Sequence, residues 1–395
     1  MRLLLLLALA PQVVAAADPP PVPKTWEKLS AGGTREGTVA VRGGYTIWVD
    51  KVLVPGTERH RAQSFTETLY RFKAGDTQPE KLEQISTTRG LYPVLGPNGE
   101  IANGWFADCQ TLYVLGLKPI PMPKDARFAA QEWTKDGLVC AAERWVYKKP
   151  GQPDGWYETA VLRFPIDRAK NALGEPKVLR PWLPLRDDDF KPDFSNGRAF
   201  ARGDFVAHTG TVPNPDRPGF PRTASEVWDT KQSKMVWRAE ITVAAADDTH
   251  AYWFPEGHVV ARRRLDGTGK TERFALPKES IRFDVQSPKL FALMKQEKEW
   301  VLALFDLTTG DRAEYDLRLT GAKPGYNYSG SGPVRRYSVW FNGDSSDGWH
   351  NSMPLGLDAA TGEARMIRDK TVYRIPVAKK LPADAKPKWE PVPAT

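Results

Sequence analysis

The feature that most restricts this fold is a strand, tight turn and strand that returns along the chain at similar spacing. Its clearest copy is Val301-Leu302-Ala303-Leu304-Phe305-Asp306-Leu307-Thr308-Thr309-Gly310, followed by Ala313-Glu314-Tyr315-Asp316-Leu317. An Asp opening the turn accepts from backbone N–H groups two residues on, and Gly310 supplies the positive φ at which a side chain would clash. The arrangement returns at 355–363, with weaker copies at 69–76, 112–118, 161–167, 227–229 and 264–267. Taking Lys73, Lys118, Asp167, Asp229, Asp266, Asp306 and Asp358 as equivalent points gives gaps of 45, 49, 62, 37, 40 and 52 residues. The longest gap has a cause in residues 212–222, whose Pro213, Pro215, Pro218 and Pro221 cannot sit in a central strand.

Periods of about 40 to 50 residues, each with several short strands, suit four-stranded propeller blades. The chain therefore reads as all-β, a seven-bladed β-propeller, with six or eight blades as the neighbouring counts. Val301 to Phe305 is apolar at every position, so both faces need cover, as they have in a blade between two neighbours. Residues 290–296 fit a helix by periodicity alone. A helix there would leave about two residues to reach the next strand, so they are read as a strand turning at 296–299. To close the ring, either 371–377 completes the first blade beside 46–49, or 38–41 joins the last.

The ends differ from the middle. Residues 1–17 carry one Arg, a short leucine run and small residues ending Ala15-Ala16-Ala17, the pattern of a cleaved signal peptide. Residues 18–37 are expected as a Pro-rich linker, 38–378 as one propeller domain, and 379–395 as a Pro/Lys-rich tail. The mature chain would be periplasmic or secreted, and no later stretch is apolar for long enough to span a bilayer. The formal charge of +8 falls to +7 without the leader. A moderate positive charge favours an anionic envelope polysaccharide as partner, beside the plainer expectation of a protein partner. Basic runs such as Arg262-Arg263-Arg264 are too short for a nucleic-acid arm, so nucleic acid is disfavoured. Cys109 and Cys140 either pair in an oxidising compartment or stay as two buried thiols.

Pro93-Val94-Leu95-Gly96-Pro97-Asn98-Gly99-Glu100-Ile101-Ala102 followed by Thr111-Leu112-Tyr113-Val114 resembles the TolB-type propeller repeat, and 135–139 is a poorer copy. The resemblance implies a secreted or periplasmic propeller, a fold that hosts binding, scaffolding and catalysis alike. Asp358, Thr361 and Gly362, and separately Asp229 with Trp237, resemble halves of the quinoprotein-type repeat. The adjacent cysteines of that family's catalytic members are missing, so no quinone or other cofactor is expected.

No catalytic or metal-binding set emerges. Ser329 and Ser331 lack the flanking glycines of a nucleophile elbow, and the five histidines form no H-E-x-x-H. The candidate ligand-binding loops are Trp182 with Asp187 and Asp189, and Asp344 with Asp347, Trp349 and His350. Exposed tryptophans there would stack on sugar rings, whereas strand tryptophans such as Trp48, Trp105, Trp145, Trp228, Trp300 and Trp340 should pack between blades. The expected function is a binding or scaffolding module. Its rival is a carbohydrate-active lyase or glycosidase, which would need two loop carboxylates facing each other across a cleft.

Overall fold

A computed structural model describes residues 22–392 apart from short stretches, of which 55–64, 341–351, 32–38 and 104–110 are the longest. Among the described residues there is no helix, and so none long and apolar enough to cross a membrane. Six antiparallel sheets of four or more strands follow one another along the chain. Sheet 1 holds Val39–Arg42, Tyr45–Leu53, Phe65–Lys73 and Glu80–Thr87; sheet 2 holds Ala126–Thr134, Gly137–Tyr147, Gly155–Phe164 and Lys177–Pro184. Sheet 3 is built on Ala199–Arg202, Phe205–Val212, Arg222–Asp229 and Lys234–Ala239, and sheet 4 on Ala245–Ala246, His250–Glu256, Val259–Arg264 and Glu272–Ala275. Sheet 5 is built on Ser280–Gln286, Lys289–Gln296, Glu299–Asp306 and Arg312–Thr320. Sheet 6 carries Gly325–Ser329, Arg336–Trp340, Ser352–Asp358, Glu363–Arg368 and Thr371–Arg374.

Six full sheets thus stand where seven units were expected. The unit around Lys118 is present as two short ladders, Pro93–Leu95 with Ile101–Asn103 and Thr111–Leu112 with Ile120–Pro121, linked by a bridge between Ala102 and Val114. Proline has no N–H for a ladder, and Pro93, Pro97 and Pro121 keep these strands short. Each of the seven anchor turns lies between the third and fourth strands of its group. Asp306 accepts from the N–H groups of Thr308 and Thr309 (2.8 and 3.1 Å), and Gly310 has φ +85°. Lys289–Gln296 is a strand, as its short link to the next element requires, and Glu297 takes the turn with φ +53°.

Apolar side chains bury between consecutive units all the way round. Val94 and Leu112 pack on Trp133 and Leu162, Val161 on Val206, and Val227 on Ala251. Tyr252 then packs among Leu290 and Phe305, and Phe291 and Leu302 pack on Leu355 and Met366. Val372 of sheet 6 returns to Val41, Trp48 and Phe72 of sheet 1, and Ile47 and Leu69 meet Leu95 and Ile101. A sequence of sheets whose last member packs on its first is a closed ring. The fold is a β-propeller.

Closure uses neither expected arrangement. Val39–Arg42 stays in sheet 1 and Thr371–Arg374 in sheet 6, while Glu27–Ala31, from the stretch expected as a linker, pairs with the outer edge of Thr371–Arg374. The backbone N–H of Gly43 also donates to Asp358 Oδ2 at 2.9 Å, and the buried Arg365 reaches Thr46 and the carbonyl of Gly44. Gly43 has φ +57°, and a Cβ there would stand 2.0 Å from the carbonyl oxygen of Pro97, so only glycine fits this crossing of three units.

The C-terminal stretch also departs from expectation. Val377–Leu381 adds to the outer strand of sheet 5 and Glu390–Pro391 to that of sheet 4. Trp389 packs near Tyr252 and Phe274 under the Arg262 guanidinium, 3.9 Å from its ring centroid. Residues read as a tail are a strap across two sheets.

Candidate functional site

The first strands of the units touch one another from sheet 1 through sheet 5, which makes them the inner wall of the ring. The turns that end these strands therefore converge at one mouth of the central channel. They enclose a cavity of about 510 Å³, reached by Arg42 of sheet 1, Asn98 and Glu100 of the short-stranded unit, Glu132 to Asp136 of sheet 2, Ala201 to Gly203 of sheet 3 and Asp248 of sheet 4. Arg163, Ile166 and Arg168 complete the wall from the outer half of sheet 2.

Its charges are partly spent on one another. Arg202 grips Glu132 with two bonds, Nη1 to Oε2 at 2.7 Å and Nη2 to Oε1 at 2.6 Å, and Nε donates to the carbonyl of Ala246 at 2.8 Å. Burial works against the Arg202 charge, but Glu132 outweighs it and the pKa is raised. Arg163 pairs with Asp136 at 3.2 Å, and Glu100 accepts from the N–H and the side-chain amide of Asn98, both at 3.0 Å. Arg42 is different. Its Nη1 and Nη2 donate to the carbonyls of Leu95 (3.3 Å) and Trp133 (3.0 Å), and burial lowers its pKa against the pull of Glu132 and Asp358. Among the described residues Arg42, Lys135 and Arg168 have no carboxylate at ion-pair distance, and Glu100 and Asp248 have no cation. The mouth presents three spare positive charges and two negative.

A second polar cluster lies between sheets 2 and 3. Glu226 accepts from Arg180 (3.3 Å), Trp228 (2.9 Å) and Arg238 (3.0 Å), and Arg238 also pairs with Asp189 at 2.6 Å. The fully buried His208 lies edge-on to Phe190, with neither ring nitrogen partnered among the described residues.

Of the residues singled out from the sequence, Trp182 and Asp189 are described, and neither lines the mouth. Trp182 is half-buried against the core of sheet 2, with the Arg144 guanidinium 4.3 Å from its ring centroid, so its ring is already covered. Asp189 is held by the N–H of Phe190 and by Arg238, which keep its pKa low, and so serves as a structural anion rather than a free acid or base. Asp187, Asp344, Asp347, Trp349 and His350 lie outside the described residues. Cys140 is a free, fully buried thiol whose pKa burial raises, and Cys109 lies outside the described residues. Trp48, Trp228 and Trp300 are buried in strands, whereas Trp145 is half-exposed against Tyr157.

Sequence reasoning missed Arg42, Glu132, Arg168 and Arg202 because they lie far apart in the sequence, spread over three sheets. One signal was there: Ala40-Val41-Arg42-Gly43 and Phe200-Ala201-Arg202-Gly203 both end a first strand with Arg before a turn glycine. Such a repeat puts an arginine at equivalent points around a ring.

Neither a family model nor a curated protein matches the sequence. Solved structures do match. The β-propeller domain of the Trilobed protease from Pyrococcus furiosus, described as having an open velcro topology, is 11% identical, with 88% of this chain and 98% of that one covered and a TM-score of 0.43. A puromycin hydrolase mutant complexed with PGG is 17% identical over 89% of this chain, at a TM-score of 0.44; the match spans 55% of that longer chain. An uncharacterized protein from Listeria monocytogenes is 7% identical, covering 88% and 87% of the two chains, with a TM-score of 0.31. At these identities and overlaps the similarity says nothing about activity or partner.

Proposed function

We propose that this chain is an exported, seven-bladed propeller of TolB-like repeat that works as a binding or scaffolding module for an envelope protein or polysaccharide. The blade count takes the short-stranded unit as the seventh blade, on the strength of the Ala102–Val114 bridge and the apolar clusters on both its sides. Export rests on the leader-like residues 1–17. The observation that carries the binding role is the cavity at the channel mouth, walled by five consecutive units and charged beyond what its own ion pairs neutralise. Concave sites with a few convergent polar groups are where globular proteins take ligands.

The test is capture. The mature chain, immobilised, is exposed to the envelope fraction of its own cells beside the variant Lys135→Glu/Arg168→Glu, whose two side chains are exposed and make no described ion pair. A component retained by the natural chain and lost by the variant supports the reading. Identical retention by both, or none by either, removes the mouth as the contact face.

A further inference from the structure

We infer that the cavity at the channel mouth is a subsite for one carboxylated sugar residue of an acidic saccharide. The inference rests on the binding role proposed above and names its ligand.

Charge gives the first reason. Arg42 is a half-buried cation whose two described bonds go to neutral carbonyls, with the carboxylates of Glu132, Asp358 and Glu100 near it but beyond ion-pair distance, and a partly desolvated guanidinium without a bound carboxylate is a costly arrangement to keep. The described bonds use two of its five N–H donors, and Arg42 lines the cavity. A guanidinium fork matches a carboxylate in a planar, two-bonded geometry. Because the carbonyls of Leu95 and Trp133 already fix the fork, little side-chain freedom is lost when an anion arrives. Lys135 and Arg168 at the rim add two mobile cations that draw acids toward the opening.

The rest of the lining selects the kind of acid. Asp248 and the free amide oxygen of Asn98 suit a ligand rich in hydroxyl groups. Apolar wall is confined to Pro97, Ile166 and Ala201, since Trp133 is buried and donates its indole N–H to the carbonyl of Val94. A peptide anchored by hydrophobic side chains would find no deep apolar pocket. A volume near 510 Å³ lies within the range of small-ligand sites.

The experiment is calorimetric titration of the mature chain with digalacturonate, with its neutral counterpart digalactose, and with triglutamate, at low and at high salt. Digalacturonate should bind, weaken at high salt, and lose about tenfold or more in affinity in Lys135→Ala/Arg168→Ala, an expectation set by charge-assisted hydrogen bonds. Arg42→Met should abolish binding; the exposed double variant keeps the test decisive if Arg42→Met does not fold. Equal binding of acid and neutral sugars, preference for triglutamate, an unaltered double variant, or no binding of digalacturonate would each overturn the inference. If an envelope component is still captured through the mouth while digalacturonate fails, the binding role stands and this ligand falls.

Discussion

His208 shows what a single residue can cost this fold. It is fully buried on Phe205–Val212, and burial first, then the neighbouring Arg180 cation, push its pKa down to about 3. In the unfolded chain an imidazole titrates near 6.5. Between those values the unfolded state holds the extra proton, so stability is complete above about pH 6.5 and declines as pH falls toward 3. At about 1.4 kcal/mol per pH unit, roughly 2 kcal/mol goes by pH 5. The variant His208→Phe keeps the ring and removes the titration. Urea unfolding at pH 7 and pH 5 should show it losing about 2 kcal/mol less than the natural protein over that interval. Parallel losses in the two proteins would mean that His208 does not govern the acid limb.

Among the elements, the C-terminal strap shows why some structure was legible in the sequence and some was not. The turns after Phe65–Lys73, Arg222–Asp229 and Glu299–Asp306 were readable because their chemistry is local: the carboxylates of Asp76, Asp229 and Asp306 each bind N–H groups within three residues. Val377–Leu381 and Glu390–Pro391 have no such signature. They pair through backbone alone, on sheets more than sixty residues earlier, and their Pro/Lys composition looks like a tail. Only Trp389 marked the segment, and a lone tryptophan does not say what it packs on. Trp389→Ala should release the last residues from sheet 4. Hydrogen exchange should then quicken at Glu272–Ala275, whose edge the strap covers, and stay unchanged at Phe65–Lys73. Unchanged protection at Glu272–Ala275 would show that the backbone pairing holds without its anchor.

At the scale of the whole molecule, the site was invisible in the sequence for the reason that the ring exists. Arg42, Glu132, Arg168, Arg202 and Asp248 come from four separate sheets and meet only after the sheets close into a circle. Closure itself can be weighed by comparing two aspartates that open the same kind of turn. Asp306 binds the N–H groups of Thr308 and Thr309 within its own turn. Asp358 binds its own turn at Ala360 with one oxygen and, with the other, the N–H of Gly43 across the junction of last and first sheets. It is completely buried there. Asp306→Ala removes a local cap and should cost about 1 kcal/mol. Asp358→Ala also strands the Gly43 N–H and should cost about 3 kcal/mol. Urea unfolding of the two variants measures the difference, and hydrogen exchange locates it: Asp358→Ala should loosen Val39–Arg42, over 300 residues away in sequence, while Asp306→Ala leaves that strand protected. Equal costs, with Val39–Arg42 unmoved in both, would mean that the Asp358 bond to Gly43 contributes nothing to holding the ring shut.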